Sequence, residues 1–476
     1  MLGKCKLRFG KALIFAQMRE KYMLEKFEAF CVAFSNFAWG YHLVVLLVGG
    51  GIFFAFYSGF KPYLYLGHAI DILRGKYDNK DSPGDISHFA ALSSAVAATV
   101  GMGNISGVAV AIATGGPGSL FWMWVSAFFG MAIKFFDCTL AIMYRGKDSE
   151  GNVQGGPMYI ITEGLGKRWK PLAVFFALAG MIGMFPAFQA NQLTQIIREV
   201  VLLPNGWAWE DPFTSNLITG IVITALVSIV IFGGLQRIAD VASKLVPTMV
   251  VLYIASVLFV IAGNIERLPA SFALIFRDAF TGEAVLGGAL GALILTGVKR
   301  AAFSNEAGIG TAPLAHGAAK TTEPVREGLV AMFGPAIDTL LICTMTALSI
   351  IVTDVWQNPE SNGVAMTLKA FQAAMPKIGQ YVLILCAAIF ALTTLFTYSY
   401  FGSKCFGYLF GARRQHWYNY IYVGSIIMGA VASLKAIIGL IDGAYALMAL
   451  PNMFATLLLA PQVKAAMNDY FQRMGK

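Results

Sequence analysis

The stretch Gly-Met-Gly-Asn-Ile-Ser-Gly at residues 101–107 lies inside one long apolar segment, and Phe-Ser-Asn-Glu-Ala-Gly-Ile-Gly-Thr-Ala-Pro at residues 303–313 lies inside another. Each contains a glycine, a large apolar residue, a second glycine and a small polar residue, Gly-Met-Gly-Asn in the first and Gly-Ile-Gly-Thr in the second. Glycine is a poor helix former. Both stretches therefore predict a helix that is interrupted in its middle.

The composition identifies the surroundings of these two helices. Of the 476 residues, 57% are hydrophobic and 13% are charged, and the mean hydropathy is +0.66. Soluble proteins have about 25% charged residues, so that many apolar side chains of this chain must face lipid. A cytosolic globule, a disordered chain, a coiled coil and a secreted disulfide scaffold are excluded. The six cysteines are scattered and show no metal-ligand spacing.

Eleven segments of the chain have the apolarity of membrane-spanning helices, which need about 20 residues each. They are predicted at residues 37–58, 87–112, 118–144, 171–199, 214–234, 245–263, 284–318, 326–353, 379–401, 417–433 and 437–460. The first of them precedes the other ten. The sequence therefore predicts an all-α polytopic membrane protein with ten core helices and one extra N-terminal helix.

The two interrupted helices each begin a group of five core helices. Within hydrocarbon every backbone N–H and C=O must be paired, so a broken helix is expected only where the freed groups line a cavity or bind a ligand. This pattern is typical of a transporter built from two inverted repeats with a shared midplane site, predicted here at residues 87–263 and 284–460. Close helix packing is the alternative explanation of the glycines.

The distribution of basic residues predicts the orientation. If the first core helix enters from the cytoplasm, the inner connections carry 19 Lys and Arg and the outer ones carry 6. This asymmetry follows the positive-inside rule and predicts an inner-membrane protein with a cytoplasmic tail at residues 461–476. The net charge of +9 then reflects topology, and nucleic acid is not expected as a partner.

The N-terminal extension, residues 1–36, does not fit this count. It carries seven basic residues, yet an odd number of spans places it outside, and it lacks a signal-peptide layout. It is either an upstream extension, with the working start nearer Met18 or Met23, or a basic helix on the membrane surface.

The ends of the broken helices predict the ligand. The half-helix that starts near Gly103 would offer free N–H groups and the positive end of its dipole to a carboxylate. Carbonyls freed at the breaks suit an ammonium group or an alkali cation, and glycines leave a small pocket. A small neutral amino acid fits these conditions. The candidate binding residues are Thr99, Gly101, Met102, Gly103, Asn104, Phe303, Ser304, Asn305, Gly308, Gly310 and Thr311.

Five stretches of the chain resemble the alanine or glycine:cation symporter family, sodium-coupled carriers with a LeuT-type fold and one extra N-terminal helix. They are AATVGMGNISGVA, GGPGSLFWMWVSAFFGMAIKFFD, GGPMYI, FSNEAGIGTAPLAH and ALMALPN. The resemblance covers about residues 36–462, and the fourth stretch is the most specific. It implies a fold of two inverted repeats, each of five helices, that spans the lipid bilayer. It also implies that the amino acid binds at the two helix breaks.

The resemblance also implies ion sites, with sodium as the coupling ion and no other cofactor. Sodium would lie between the first and eighth core helices. A second ion, where one is carried, would use Asn104 and the carbonyl of Thr99, and Gln189 matches a family glutamine that would contact the substrate. The residues that match the first sodium site are the carbonyls of Ala97 and Val100 and the hydroxyls of Thr393 and Thr394.

The chain departs from the family pattern beside the candidate site. Met102 stands where the family commonly has a small hydroxyl residue, and Phe185 and Pro186 precede Gln189. Met102 would reshape the pocket and remove one oxygen. Alanine and glycine are therefore both candidate substrates.

Other charged residues of the apolar segments also need partners. Lys134 and Asp137 are three residues apart on one helical face and are expected to form an ion pair. Asp338 is either structural or part of a gate or proton relay. Glu306 is expected to partner Arg300 near the gate.

These features together predict a secondary active symporter that couples sodium influx to uptake of a small neutral amino acid by alternating access. Proton coupling is the alternative. A channel is disfavoured because there is no tandem selectivity-filter motif. An enzyme is disfavoured because the five histidines lack paired spacing and the sequence has neither a P-loop nor a GxSxG elbow. The sequence leaves the oligomeric state open.

Overall fold

The computed structural model describes residues 25–79, 81–280, 290–358, 363–432 and 434–475, together with residues 19, 22 and 23. Most of these residues are helical, and one two-stranded hairpin is present. Residues 1–18 of the predicted extension and the predicted start of the sixth core helix at residue 284 lie outside the described residues.

Among the described residues, eight helices are long and apolar enough to cross a membrane. A ninth span is the first core helix, in which His88–Thr99 and Gly103–Gly115 meet at an angle of 51°. The sixth core helix consists of Leu290–Asn305 and Ala312–His316, and the ninth is Trp417–Val431. The eight long helices are Glu25–Tyr57, Ser119–Met143, Lys167–Leu202, Pro212–Ile231, Gly234–Ala262, Pro324–Val352, Gly379–Phe410 and Gly439–Leu458.

Three predicted helix boundaries are wrong. The extra N-terminal helix already includes Glu25, the fifth core helix begins at Gly234 and not at residue 245, and the eighth ends at Phe410 and not at residue 401. The additional turns carry polar side chains such as Arg237 and Lys404, which end an apolar run in the sequence. Arg237 is exposed and can keep its charged end near water, whereas Lys404 is buried and its ammonium group donates a hydrogen bond to the side-chain oxygen of Gln154. The predicted tail at residues 461–476 is also largely helical, as Ala460–Arg473.

Capping residues explain where two of the helices begin. The hydroxyl of Ser87 accepts a hydrogen bond from the N–H of Ala90 at 3.2 Å, which fixes the start of the first core helix. The carboxylate of Asp211 accepts bonds from the N–H groups of Phe213 and Thr214, and Pro212 stands at the first helical position.

Small residues allow the helices to approach closely. A Cβ on Gly328 would lie 2.7 Å from the carbonyl oxygen of Phe135, so the seventh core helix can pack on the second only with glycine there. The first core helix packs on the fifth and eighth, and the fourth packs on the ninth. The two broken helices also pack on each other, which places both interruptions in the interior of the bundle.

One end of the bundle, which we call the basic face, carries Arg145, Lys320 and the helix Ala460–Arg473. Two short antiparallel strands, β1 (Gly146–Lys147) and β2 (Val153–Gln154), follow Arg145. The guanidinium of Arg145 donates hydrogen bonds to four backbone carbonyls around the end of the sixth core helix. They belong to Pro83, Gly317, Ala319 and Thr321.

The turn of the hairpin is organised by Asp148. Its carboxylate accepts hydrogen bonds from the N–H groups of Glu150 and Asn152, at 2.9 and 3.0 Å, and from the side chain of Gln154 at 2.9 Å. Burial acts to raise the pKa of Asp148, but these hydrogen bonds outweigh it and hold the pKa below its usual value. The carboxylate is therefore charged at neutral pH and stabilises the turn.

Candidate functional site

The first interruption is short and is closed by a side chain of its own segment. The helix ends at Thr99, Val100 is extended with ψ 95°, and a π-helical stretch runs from Gly103 to Gly107. The side-chain oxygen of Asn104 accepts a hydrogen bond from the N–H of Gly101 at 2.8 Å. Asn104 therefore satisfies a backbone donor that the break releases.

The second interruption is longer and has a more irregular backbone. Helix Leu290–Asn305 ends before Glu306, and the chain becomes helical again at Ala312–His316. Glu306, Gly308 and Gly310 have positive φ angles of 56°, 82° and 99°. Its backbone groups are paired by a local and by a distant side chain. The side-chain oxygen of Asn305 accepts a hydrogen bond from the N–H of Ala307 at 3.0 Å, and the amide of Asn452 in the tenth core helix donates to the carbonyl of Gly308 at 3.0 Å.

A hydrogen-bond network joins the two interruptions through Asp338. The side-chain nitrogen of Asn104 donates to one carboxylate oxygen of Asp338 at 2.6 Å and to the hydroxyl of Ser304 at 3.1 Å. Ser304 in turn donates to the other Asp338 oxygen at 2.8 Å. Asp338 is fully buried on a π-helical stretch, Ala336–Cys343, a distortion that is frequent at functional sites.

Neighbouring hydroxyl and amide groups complete this network. The hydroxyl of Thr339 donates to Asp338 at 2.7 Å, and the side chain of Asn305 donates to that hydroxyl at 3.0 Å. The sequence named Ser304 and Asn305 as binding candidates and Asp338 as either structural or part of a gate or proton relay, but it did not name Thr339. The signal for Asp338 was present, because an intramembrane carboxylate needs a partner, but the sequence did not show which residue that partner is.

Two of the residues predicted for the sodium site meet between the first and eighth core helices. The hydroxyl of Thr394 lies 3.1 Å from the carbonyl oxygen of Ala97, across the two helices. A Cβ on Gly101 would lie 2.5 Å from that hydroxyl, so glycine is needed at this approach. The hydroxyl of Thr393 bonds to carbonyls of its own helix and lies 3.7 Å from the sulfur of Met249. Val100 occupies the extended position directly after the helix end.

The side chain of Thr99 points back to its own helix. Its hydroxyl donates to the carbonyls of Ala95 and Val96, at 3.2 and 3.3 Å. A role of Thr99 in a second ion site would therefore fall to its backbone carbonyl, as the resemblance implies.

Aromatic rings line the space next to the first interruption. A Cβ on Gly103 would meet the ring of Phe303 at 3.8 Å, an ordinary contact distance. The ring of Phe303 packs against Phe188 and Tyr445, with centroids 5.7 and 5.6 Å apart. Met102 is fully buried. These side chains would limit the size of a ligand at Gly103.

Gln189 lies on the third core helix, close after an interruption that the sequence did not predict. Helices Lys170–Gly183 and Ala187–Ile197 are separated by a turn that contains Pro186. Proline has no N–H to donate and fixes φ, so Pro186 was the residue from which this interruption could have been predicted. The side-chain oxygen of Gln189 is buried and has no hydrogen-bond partner among the described residues, which leaves it available to a ligand.

The remaining candidates of the second interruption face other helices. A Cβ on Gly308 would lie 2.6 Å from the Leu47 side chain, and one on Gly310 would lie 2.6 Å from Phe176. Thr311 is buried at the start of the helix Ala312–His316. The two glycines are thus explained by packing, and their predicted contact with substrate stays a prediction.

Two expected ion pairs are wrong. Asp137 accepts hydrogen bonds from Asn452 at 3.0 Å and Thr456 at 2.6 Å, and its expected pair with Lys134 is not among the ion pairs of the described residues. Glu306 accepts bonds from two tyrosine hydroxyls rather than from Arg300. These belong to Tyr398 at 2.6 Å and Tyr445 at 3.1 Å. The ion pair in this region joins Lys299 to Asp442 at 3.5 Å.

Comparison with known proteins agrees with this architecture. Residues 24–476 match the sodium:alanine symporter family. An uncharacterized transporter of Haemophilus influenzae is 41% identical over 94% of this chain and 97% of its own length. The sodium/alanine symporter AgcS of Methanococcus maripaludis is 40% identical over 90% of this chain and 93% of its own length.

A solved structure confirms the predicted LeuT-type fold class. The crystal structure of MhsT in complex with L-phenylalanine is similar with a TM-score of 0.55 and 13% identity. The match covers 80% of this chain and 98% of that one. At this identity the similarity concerns the fold alone.

Proposed function

Because this chain belongs to the sodium:alanine symporter family, we propose that it couples sodium influx to the uptake of alanine or glycine by alternating access. Family membership makes it a cation-coupled amino-acid symporter and a multi-pass membrane protein, and not an enzyme. What we propose beyond family membership is that the ion is sodium, that the substrate is alanine or glycine, and that the residues described below bind them.

The observation that supports the proposed sodium site is the close contact of Thr394 with the first interruption. A hydroxyl oxygen and a carbonyl oxygen from two different helices lie 3.1 Å apart at Thr394 and Ala97. Hard oxygen ligands of this kind suit an alkali cation, and a broken helix supplies further free carbonyls. Val100 and Thr393 would complete the site.

A second sodium ion would bind at the network around Asp338. Its carboxylate is buried and faces side chains from both interruptions, Asn104 and Ser304. A buried carboxylate is costly unless it is paired with positive charge. The negative charge of Asp338 would therefore stabilise a cation at this position, and the carbonyl of Thr99 would be a further ligand.

The substrate would lie between the first interruption and the aromatic rings. The half-helix that starts at Gly103 would direct the positive end of its dipole at the carboxylate, and the unpartnered side-chain oxygen of Gln189 suits the ammonium group. Phe303 would limit the size of the substrate side chain. These features support alanine or glycine.

We further propose that the protein lies in the inner membrane with its basic face in the cytoplasm. The count of 19 basic residues on the inner connections against 6 on the outer ones supports this orientation. The C-terminal helix would then also be cytoplasmic.

Uptake into proteoliposomes tests the coupling ion and the substrate. Labelled alanine and glycine are supplied with an inward sodium gradient, with potassium alone, or with a proton gradient alone. We expect concentrative uptake only with sodium, and competition that is strong for glycine and alanine and weak for leucine. Equal uptake under the three conditions would disprove sodium coupling, and uptake with the proton gradient alone would favour the proton.

The variant Thr394→Val tests the location of the first sodium site. It removes one oxygen ligand, so we expect the sodium concentration for half-maximal uptake to rise about tenfold, as for a loss of about 1.4 kcal/mol. The preference among amino acids should not change. Thr224→Val, on the fourth core helix, is the matched control and should leave both quantities unchanged. An unchanged sodium requirement in Thr394→Val would place the ion elsewhere.

A further inference from the structure

Three buried side chains near the basic face form a polar cluster that the proposed transport site does not use. The Nδ1 atom of His316 lies 2.5 Å from one carboxylate oxygen of Glu327, and Nδ1 of His88 contacts the other oxygen. The three side chains are exposed by 2% or less. We call them the His–Glu–His cluster.

The charge of the cluster depends on one proton. With both imidazoles neutral, each can donate its Nδ1–H to Glu327, and the cluster has a net charge of about −1. A proton on either ring gives a neutral cluster that contains an ion pair. Both imidazoles contact the carboxylate of Glu327, which stabilises an added positive charge, so the closed arrangement favours the state with one added proton.

Other titratable side chains surround the cluster. The neighbours that interact electrostatically with its side chains are Asp78, Arg145, Arg326 and the thiol of Cys138. Farther out, a cavity of about 430 Å³ next to Ser87 is lined by Asp78, Asp85, Asp240 and Lys320. Aspartate, arginine, lysine and cysteine side chains ordinarily titrate outside the range of histidine. Histidine is therefore the residue type of this set whose charge ordinarily changes near neutral pH, and the cluster contains two imidazoles.

The cluster joins the two half-helices that reach the basic face. His88 is the first residue of His88–Thr99, and His316 is the last residue of Ala312–His316. Glu327, on the seventh core helix, holds both of them. In the proposed alternating access, opening toward the basic face would move these half-helices apart or away from the seventh helix.

We propose that the His–Glu–His cluster is a proton-binding site, and that the bound proton stabilises the closed state of the basic face. This inference rests on the proposed alternating access and on the proposed cytoplasmic position of that face. The cluster is separate from the coupling-ion sites, so the proton regulates the cycle and is not carried with the substrate.

The direction of the pH effect follows from linkage. When the half-helices separate, the imidazoles reach water and lose the contact with Glu327 that stabilises an imidazolium. The closed state therefore binds the proton more tightly than the open state. Acidification of the cytoplasm favours the state that binds the proton, so it should slow opening and uptake.

The test uses right-side-out membrane vesicles that are loaded at different internal pH values with a constant external pH. Sodium-driven alanine uptake by the wild-type protein should fall about threefold to tenfold between internal pH of about 8 and about 6, the range of histidine titration. His88→Asn and His316→Asn retain polar side chains but cannot bind the proton. Their uptake should change less than about twofold over the same range.

His68→Asn is the matched control. His68 is also buried, and its Nε2 lies 2.8 Å from the hydroxyl of Tyr470, outside the cluster. This variant should keep the wild-type pH profile. A flattened profile in His68→Asn, or a wild-type profile in both cluster variants, would overturn the inference.

Folding and function are separated by further measurements. Size-exclusion elution and thermal melting identify a variant that fails to fold. If one histidine variant fails to fold, the pH profile of the other histidine variant or of Glu327→Gln tests the inference. Absence of sodium-driven uptake at every pH in the wild-type protein contradicts the proposed function. Normal sodium-driven uptake with a pH profile that the cluster variants do not alter contradicts only this inference.

Discussion

The two interruptions differ in how their freed backbone groups are satisfied. In the first, Asn104 bonds to the N–H of Gly101 three residues away. In the second, three positive φ angles occur between Glu306 and Gly310, and the carbonyl of Gly308 depends on Asn452 from another helix. The first interruption is closed by a local side chain, whereas the second has its own local bond, from the N–H of Ala307 to Asn305, and needs a contact from another helix in addition.

Because of this difference, substitutions in the two interruptions should affect different properties, ligand binding in one case and the stability of the fold in the other. A substitution in the first interruption should mainly alter ligands, because the local hydrogen bond of Asn104 can persist. A substitution in the second should mainly destabilise the protein, because its backbone conformation and its neighbours must fit together. Glycine substitutions at the two sites can distinguish these effects.

We expect the largest effect from Gly310→Ala. Its φ of 99° is unfavourable for alanine, and the new Cβ would lie 2.6 Å from Phe176 and 2.9 Å from Pro157. Backbone strain and overpacking together should lower the free energy of unfolding by about 3 kcal/mol. Thermal melting in detergent, followed by tryptophan fluorescence, measures this change.

Gly166→Ala is the control for Gly310→Ala. Gly166 has the same φ of 99°, but a Cβ at this position would meet no atom within 4 Å. The variant should show the backbone strain alone and a clearly smaller loss of stability. Equal melting temperatures of the two variants would show that the contacts of Gly310 with Phe176 and Pro157 do not matter.

An intermediate effect is expected from Gly101→Ala, in the first interruption. The added Cβ would lie 2.5 Å from the hydroxyl of Thr394, which must move away from the carbonyl of Ala97. We expect a sodium requirement about tenfold higher, which corresponds to about 1.4 kcal/mol, with little change in melting temperature. Sodium titration of alanine uptake measures it.

The control for Gly101→Ala lies in the same helix. A Cβ on Gly107 would meet no atom within 4 Å, so Gly107→Ala should keep the wild-type sodium requirement. A normal sodium requirement in Gly101→Ala would separate Thr394 from the ion site.

The sequence predicted both interruptions because their signal is local. Paired glycines with a small polar residue can be recognised within a few positions, and the predicted starts of most helices follow from apolar runs. The pair of Lys134 with Asp137 was inferred in the same way, from spacing on one helix, and it is wrong. The partners of Asp137 are 315 and 319 residues away, on the tenth core helix.

The parts of the candidate site that the sequence did not predict depend on such distant contacts. Asn104 reaches Asp338 over 234 residues, and His88 reaches Glu327 over 239 residues. Buried polar groups take whichever partner the packing of the helices supplies. Periodicity along one helix does not contain that information, so Asp338 was predicted to be structural or part of a gate or proton relay, while its partners Asn104 and Ser304 were not identified.

The smallest of these effects is expected from Gly103→Ala. Its Cβ would meet the ring of Phe303 at 3.8 Å, an ordinary contact, so the fold and the sodium requirement should be unchanged. The methyl group would occupy space beside the backbone where the substrate is proposed to lie. We expect alanine to lose about threefold in affinity relative to glycine, less than the ~10-fold that one methylene costs in a tight pocket. Competition uptake with both amino acids measures this ratio, with Gly107→Ala as control. An unchanged ratio would mean that the substrate does not approach Gly103, and a loss of folded protein would mean that the first interruption is as tightly constrained as the second.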